Sequence, residues 1–229
     1  MDLDNDRMAR PLDACLHLMD RQLVDVDGRL AGKVDDLELT RGDAGELAVT
    51  AILCGPAVLV PRLGGGLGRW GVERWRHLAR QYADRTTPGR LGLDAVDRLT
   101  SAVHLRVGRD GMLDRTPERR GTDGRSPLRV GGLSGMTVVL PDGSRSRVLD
   151  VRLAPRRAGA LPVTGLLVGR GGPGSLLGYD RDAEQGPALV AAVVRRWHSD
   201  SRLVPWEAVE VHWDAGRVVV GRLPEGPQG

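Results

Sequence analysis

The sequence contains two similar halves, and this internal repeat constrains the fold more than any single motif does. The stretch VDDLELTRGDAGELAVTAILCG, Val34–Gly55, aligns without a gap with VLDVRLAPRRAGALPVTGLLVG, Val148–Gly169, at an offset of 114 residues. Further along, LGLDAVDRLTSAVHLRV aligns with VPWEAVEVHWDAGRVVV at an offset of 113 residues. Because the matches keep the same order with few gaps, we expect two copies of one structural unit.

The repeat sets the expected domain boundaries. Copy one is predicted at residues 15–110 and copy two at residues 130–223, with short tails at 1–14 and 224–229. The segment between them, residues 111–129, is rich in Gly, Pro, Arg and Asp and is predicted to be a flexible linker. The sequence leaves open whether the copies pack together and whether the chain forms homo-oligomers.

Each copy has the pattern strand, turn, strand, turn, strand, Gly-rich loop, helix, strand, strand. The pairs Asp27, Gly28 and Asp142, Gly143 lie between β-rich stretches and predict tight hairpin turns. Five short strands with one helix favour a small closed barrel over a sandwich. The predicted fold class is therefore mainly β, with two tandem small barrels that each carry one inserted α-helix.

Several of these stretches resemble a known family. LMDRQLVDVDGRLAGKVDDLEL in copy one is similar to the opening of a PRC-barrel domain, in which a D-x-D-G turn precedes G-x-V-x-D and alternating apolar residues. LSGMTVVLPDGSRSRVLDVRL is a weaker instance in copy two, and LVPWEAVEV resembles the closing element of the family. Copy one departs where LGLDAV replaces VPWEAV, and copy two departs at Ser146, where the family usually has Gly.

The chain as a whole most resembles double PRC-barrel proteins of actinobacteria. PRC barrels occur in the ribosome maturation factor family, in the H subunit of photosynthetic reaction centres and in archaeal cell-division adaptors. In each case the barrel is a docking module and not an enzyme. The resemblance therefore implies two PRC-like barrels with a docking function, and it provides no catalytic residue set to transfer.

The cysteine content and the apolar segments predict a cytoplasmic protein. Cys15 and Cys54 are far apart and form no C-x-x-C pair, so a reducing compartment is expected. The first residues lack the order of a signal peptide, and the longest apolar run, Leu47–Val60, is too short to span a bilayer. No motif predicts a cofactor.

A G-x-G-x-x-G motif occurs at Gly66, Gly68 and Gly71, which raises the hypothesis of a nucleotide-binding enzyme that uses loop 64–71. A dinucleotide site requires a parallel βαβ unit with an acidic residue at the end of its second strand. No such strand follows at the right distance, and copy two has GRGGPGSLLGYD there, without the spacing. The favoured interpretation is a loop that leads into a helix.

Asp35, Asp36 and Glu38 form an acidic cluster that is a candidate metal site. Strand alternation places Asp36 and Glu38 on one face and Asp35 on the other, and copy two keeps only Asp150, the equivalent of Asp36. One Asp that accepts backbone N–H bonds at a bulge or turn explains Asp36 and Asp150 better, so no metal is predicted. The five histidines show no ligand spacing, and no nucleophile motif is present. We therefore expect no catalytic residues.

The predicted helix 69–85, RWGVERWRHLARQYADR, interleaves arginines with tryptophans. Its buried stripe explains Trp75 but not Trp70. The candidate partner-binding residues are Trp70, Arg69, Arg74 and Arg76 in copy one and Trp206 in copy two. The leading hypothesis is a non-catalytic adaptor that docks unknown protein partners. The alternative is an RNA- or ribosome-associated factor, with the arginines on phosphates and a tryptophan stacked on a base.

Overall fold

A computed structural model describes residues 6–42, 45–55, 58, 89–110, 128–170 and 201–221. Strands make up 53% of the structure and helical segments 13%, and the strands form two curled sheets. The prediction of a mainly β fold is therefore confirmed.

Helices long and apolar enough to cross a membrane are absent from the described part of the chain.

The described elements of copy one include eight strands, whereas the sequence predicted five per copy. They are β1 (Leu12–Asp13), α1 (Ala14–His17), β2 (Gln22–Val24), β3 (Leu30–Lys33), β4 (Asp36–Arg41), β5 (Leu47–Cys54), β6 (Gly89–Gly92), β7 (Val96–Leu99) and β8 (Val103–Leu105). Short 3-10 turns span Arg7–Ala9, before β1, and Leu93–Ala95, between β6 and β7.

The elements of copy two repeat this order. They are β9 (Leu128–Arg129), α2 (Val130–Leu133), β10 (Thr137–Val139), β11 (Arg145–Leu153), β12 (Leu161–Gly169), β13 (Arg202–Pro205), β14 (Val209–His212) and β15 (Arg217–Val220), with a 3-10 turn at Trp206–Ala208. β9 lies at the end of the segment predicted as a linker, so residues 128–129 belong to a sheet. The predicted helix 69–85, its counterpart in copy two and residues 111–127 lie outside the described residues.

The chain divides into two compact units that do not coincide with the two copies. The first unit comprises Met1–Gly132 and Leu153–Val163, and the second comprises Leu133–Arg152 and Thr164–Gly229. β9 and the turn that joins β11 to β12 therefore belong to the first unit, although both come from copy two. The first unit is built from residues of both copies.

The first unit contains a four-stranded sheet in the order β3-β2-β8-β7. β2 is parallel to β8, while the β2–β3 and β7–β8 pairs are antiparallel. Leu23, Val96, Leu99 and Val103 from this sheet are fully buried. The sheet thus contributes one apolar face to the core of the unit.

A second group of strands in this unit is centred on β4 and β5, which form an antiparallel pair. The outer edge of β4 pairs with β9. The other edge of β5 is shared, because Ala48 and Val49 pair with the start of β12, whereas Ala51 to Cys54 pair with β6. Since β5 has neighbours on both edges and lies in the core, a nearly continuous apolar sequence suits it.

The second unit contains strands in the order β14-β15-β10-β11-β12, and β13 pairs with β12. Its pairings recur from copy one. β10 is parallel to β15 as β2 is to β8, and Pro205 faces Gly165 as Gly92 faces Ala51. The alignment offsets of the sequence therefore describe equivalent strand positions.

The copies differ where β3 gives way to β4. In copy two, β11 runs without a break through the equivalent positions, and Leu149 occupies the position of Asp35. In copy one the strand is interrupted at Val34 and Asp35, and the Asp35 carboxylate accepts a hydrogen bond from the Gly55 N–H at 2.6 Å. A buried carboxylate needs such a donor, whereas Leu149 needs none.

Candidate docking surface

Three exposed apolar side chains lie at one end of the four-stranded sheet of the first unit. Val26 is 62% exposed, Leu30 is 60% exposed and Val107 is 37% exposed. The Val26 N–H donates to the Val107 carbonyl at 3.3 Å, and Leu30 pairs with Val24. We call Val26, Leu30 and Val107 the hairpin patch, because they surround the turn between β2 and β3.

The hairpin patch is positioned by a tight turn that Asp25 organises. The buried Asp25 carboxylate accepts hydrogen bonds from the N–H groups of Asp27 at 3.0 Å, Arg29 at 2.7 Å and Arg109 at 3.2 Å. Gly28 has a φ of +77°, a conformation that favours glycine. Asp27, the acid singled out in the sequence, lies at the exposed tip, where it pairs with Arg29 at 3.7 Å.

These hydrogen bonds affect the ionisation of Asp25. The bond from the Arg29 N–H does most to hold the pKa of Asp25 below its ordinary value, while burial opposes it and the bonds from Arg109 and Asp27 add to it. The ionised carboxylate therefore stabilises the turn that presents the hairpin patch.

The equivalent turn of copy two has a different acid in the central role. The Asp142 carboxylate accepts a hydrogen bond from the Ser144 N–H at 2.9 Å, and Gly143 has a φ of +80°. Hydrogen bonds from Ser144 lower the pKa of Asp142. Leu140 occupies the position of Asp25 and is 8% exposed, so copy two lacks the inner carboxylate.

β3 is an edge strand among the described residues, because its sheet begins with it and continues only through β2. Leu30, Gly32 and Lys33 are exposed along it, and Gly32 has a φ of +141°. An exposed edge offers N–H and C=O groups to another extended chain. The hairpin patch thus lies beside a strand that can accept a further strand.

The second unit carries its own exposed apolar residue near a candidate tryptophan. Leu203 in β13 is 50% exposed, and Trp206 in the following 3-10 turn is half-buried. In copy one the equivalents are Arg90 and Leu93, and Leu93 is only 1% exposed. Copy two therefore exposes apolar surface where copy one has a charge and a core residue.

The other candidate partner-binding residues, Arg69, Trp70, Arg74 and Arg76, lie outside the described residues, as does the Gly-rich loop 64–71. The structure therefore does not test whether these residues bind a partner.

The acidic cluster of copy one is engaged in bonds within the chain. Besides its bond from Gly55, the Asp35 carboxylate lies 3.5 Å from the ammonium of Lys33. Asp36 accepts hydrogen bonds from the N–H groups of Leu37 at 2.8 Å and Gly131 at 2.9 Å. Glu38 accepts three hydrogen bonds from the Arg90 guanidinium, at 2.8, 3.0 and 3.1 Å.

Asp150 in copy two shares the local role of Asp36. Its carboxylate accepts a hydrogen bond from the Val151 N–H at 2.7 Å, as that of Asp36 does from Leu37. Both aspartates are buried. Groups of three or more His, Cys, Asp or Glu side chains arranged to hold a metal ion are not found among the described residues.

Among the described residues, the cysteines and histidines form no shared site. Cys15 and Cys54 are buried free thiols, and burial raises the pKa of Cys54 to about 12, with a further contribution from the Asp35 carboxylate. Each described histidine contacts a residue close in sequence: His17 the backbone of Asp13, His104 the hydroxyl of Thr100 and His212 the carboxylate of Glu210. His77 and His198 lie outside the described residues.

A comparison of the sequence with protein-family models and with curated proteins finds no match in either set. The likeness to PRC barrels therefore stays a prediction carried by the quoted residues.

Sequence reasoning missed the hairpin patch. In the sequence, Val26 and Leu30 are apolar residues on either side of an Asp-Gly pair, and this local pattern does not show whether they are buried or exposed. The available signal was the excess of apolar residues around a turn, where polar residues are usual. Whether they face solvent depends on the curl of the sheet, which is a tertiary property.

Proposed function

We propose that this protein is a non-catalytic docking protein that binds an extended segment of a protein partner along β3. The observation that carries this proposal is the hairpin patch, with Val26 and Leu30 about three-fifths exposed beside an edge strand. Exposed apolar side chains that lie together on a protein surface are typical of a site that a partner covers.

The chemistry of β3 specifies the kind of partner. A strand added to its edge forms main-chain hydrogen bonds, and alternate side chains of that strand then reach Leu30 and the neighbouring patch. Covering a Val and a Leu side chain contributes about 1.5–3 kcal/mol each. The expected partner segment is therefore extended and has apolar residues at alternate positions.

The two-barrel architecture forms part of the same proposal. We propose that each copy is a PRC-like barrel with one inserted helix, at residues 69–85 in copy one. The recurring parallel pairs β2–β8 and β10–β15 support this, since each joins the second strand of a copy to its last strand. Tandem copies would bind two sites of one partner with avidity, and Leu203 with Trp206 provides the second apolar surface.

The experiment compares capture of proteins by the full chain and by a variant of the hairpin patch. Lysate from the source organism is passed over immobilised wild-type protein, V26S/L30S and L16S, each with and without RNase. Leu16 is 38% exposed in α1, so L16S is a control that removes exposed apolar surface away from β3. Bound proteins are identified by mass spectrometry, and their affinities are then measured with purified components.

We expect one protein to be retained by wild type and by L16S after RNase treatment and to bind V26S/L30S at least about tenfold more weakly. Equal capture by V26S/L30S would contradict the proposal. Capture that RNase abolishes would instead favour the RNA-associated alternative through the helix 69–85.

A further inference from the structure

The outer edge of β4 is covered by residues from copy two. Glu38 lies opposite Arg129, and Leu39 lies opposite Leu128, in the antiparallel β4–β9 pair. All four residues belong to the first compact unit. Copy one therefore forms a strand pair with β9, which consists of the last two residues of the segment predicted as a linker.

Asp36 fixes the position of the chain just after β9. Its carboxylate accepts a hydrogen bond from the Gly131 N–H at 2.9 Å, at the start of α2. A Cβ atom on Gly131 would lie 2.5 Å from Asp36 Oδ2, and Asp36 is only 2% exposed. The contact thus requires both an acceptor at position 36 and a residue without a side chain at position 131.

Charge adds to this backbone contact. Cross-strand partners project from the same face of a sheet, so Glu38 and Arg129 are neighbours. Burial lowers the pKa of the Arg129 guanidinium, and the carboxylates of Asp36 and Glu38 act in the opposite direction. Glu38 also pairs with Arg90, whose side chain is 43% exposed. Two acids of β4 therefore face one cation brought by copy two.

The repeat assigns the opposite charges to the equivalent positions. β1 and α1 of copy one correspond to β9 and α2 of copy two, which places Asp13 at the position of Arg129. The alignment of Val34–Gly55 with Val148–Gly169 places Arg152 at the position of Glu38. Copy one thus has acids at both positions, and copy two has arginines at both.

We infer that the edge of β4 is a recognition site for copy two of this chain, and that the charges at positions 38 and 129 exclude pairing of a copy with its own kind. If copy one paired with another molecule of copy one, Asp13 would lie opposite Glu38. If copy two paired with another molecule of copy two, Arg129 would lie opposite Arg152. Like charges directly opposite each other destabilise a strand pair. Only the mixed pair joins an acid to an arginine.

The test asks whether the copies stay together once the covalent link is cut. A protease site is inserted after Gly121 in the full chain, and the intact protein is purified, cleaved and followed by native mass spectrometry over a dilution series. The variants are R129E, E38R and the double variant E38R/R129E. R98E is the control, because Arg98 is a half-exposed cation that pairs with Asp97 on β7.

We expect the wild-type halves to remain paired, and R129E and E38R each to raise the dissociation constant at least about tenfold. The double variant restores an opposite-charge pair, so its dissociation constant is expected within about threefold of the wild-type value. Arg90 can turn into solvent and leave room for an arginine at position 38. The double variant also controls for misfolding, since a general loss of folding is not rescued by a second charge reversal.

Three results would overturn the inference. The first is separation of the wild-type halves on cleavage. The second is a dissociation constant of the cleaved halves that is the same for R129E and E38R as for R98E. The third is a double variant that binds no better than the weaker single variant.

Discussion

Ala48 lies directly opposite Pro162 in the antiparallel β5–β12 pair, and the two residues occupy the same position in the two copies. The next pair joins Val49 to Leu161, and the repeat aligns these residues with Val163 and Leu47. An antiparallel pair centred on two equivalent residues is locally two-fold symmetric. β5 and the start of β12 are therefore equivalent strands of the two copies, and they pair about a local two-fold axis.

The local symmetry predicts that Leu47 and Leu161 contribute equally to stability. Both are buried, with exposed fractions of 1% and 0%. We expect L47A and L161A each to lower the free energy of unfolding by about 2–5 kcal/mol, because each leaves a cavity in a packed core. Urea unfolding followed by tryptophan fluorescence measures both, with L30A as an exposed control expected within about 0.5 kcal/mol of wild type. A large loss for one leucine alone would contradict the symmetry.

Asp36 is predicted to be the most sensitive acid of copy one. Its replacement in D36A leaves the buried N–H of Leu37 and the partly buried N–H of Gly131 without their acceptor. An unsatisfied buried donor costs about 1–3 kcal/mol, so we expect a loss of about 2–5 kcal/mol in the free energy of unfolding. D27A is the matched control, since Asp27 lies at an exposed turn tip, and we expect it to stay within about 0.5 kcal/mol of wild type. Equal losses for the two variants would refute this role.

The sequence predicted a mainly β fold because strands depend on local alternation of apolar and polar residues. It also aligned Asp36 with Asp150, which share a bond to the next residue. It did not predict that β9 pairs with β4, because Leu128 and Arg129 are too short a stretch to show any period. It placed Asp27 and Gly28 in a tight turn but did not single out Asp25, whose carboxylate accepts three N–H bonds there, since the two acids have the same local pattern and differ in burial.

Gly92 is predicted to accept proline. It precedes the 3-10 turn Leu93–Ala95 with φ −61° and ψ 146°, and Pro205 precedes the equivalent turn with φ −59° and ψ 145°. Because the backbone already has the proline geometry, G92P should raise the free energy of unfolding by about 0.4–1 kcal/mol through the unfolded state. The Asp94 side chain must rotate to make room for the new ring. Thermal unfolding of G92P and of G92A separates the ring constraint from this steric effect, and a Tm for G92P below that of G92A would contradict the prediction.

Asp25 predicts a pH dependence of stability. Its pKa is lowered in the folded state, so its contribution is fully present above the unfolded value of about 4 and is lost as the pH falls through the folded value. We expect the Tm of wild type to fall more steeply than that of D25N between pH 5 and pH 2, and the two curves to converge at the acid end. Differential scanning calorimetry at several pH values tests this. Parallel curves throughout would show that Asp25 is not responsible.

Cys54 is predicted to be unreactive in the folded protein. Its thiol has a pKa of about 12, whereas an unfolded cysteine has a pKa of about 8.5. Because the thiolate is the reactive species, alkylation of Cys54 by iodoacetamide at pH 8 should be on the order of a thousandfold slower in the native protein than in urea. Mass spectrometry of peptides containing Cys15 and Cys54 over a time course measures each rate separately. D35N tests the electrostatic part of the cause, since removal of the carboxylate charge should lower the pKa of Cys54 and speed its alkylation relative to wild type. A native rate equal to the rate in urea would mean that the thiol is neither buried nor held protonated.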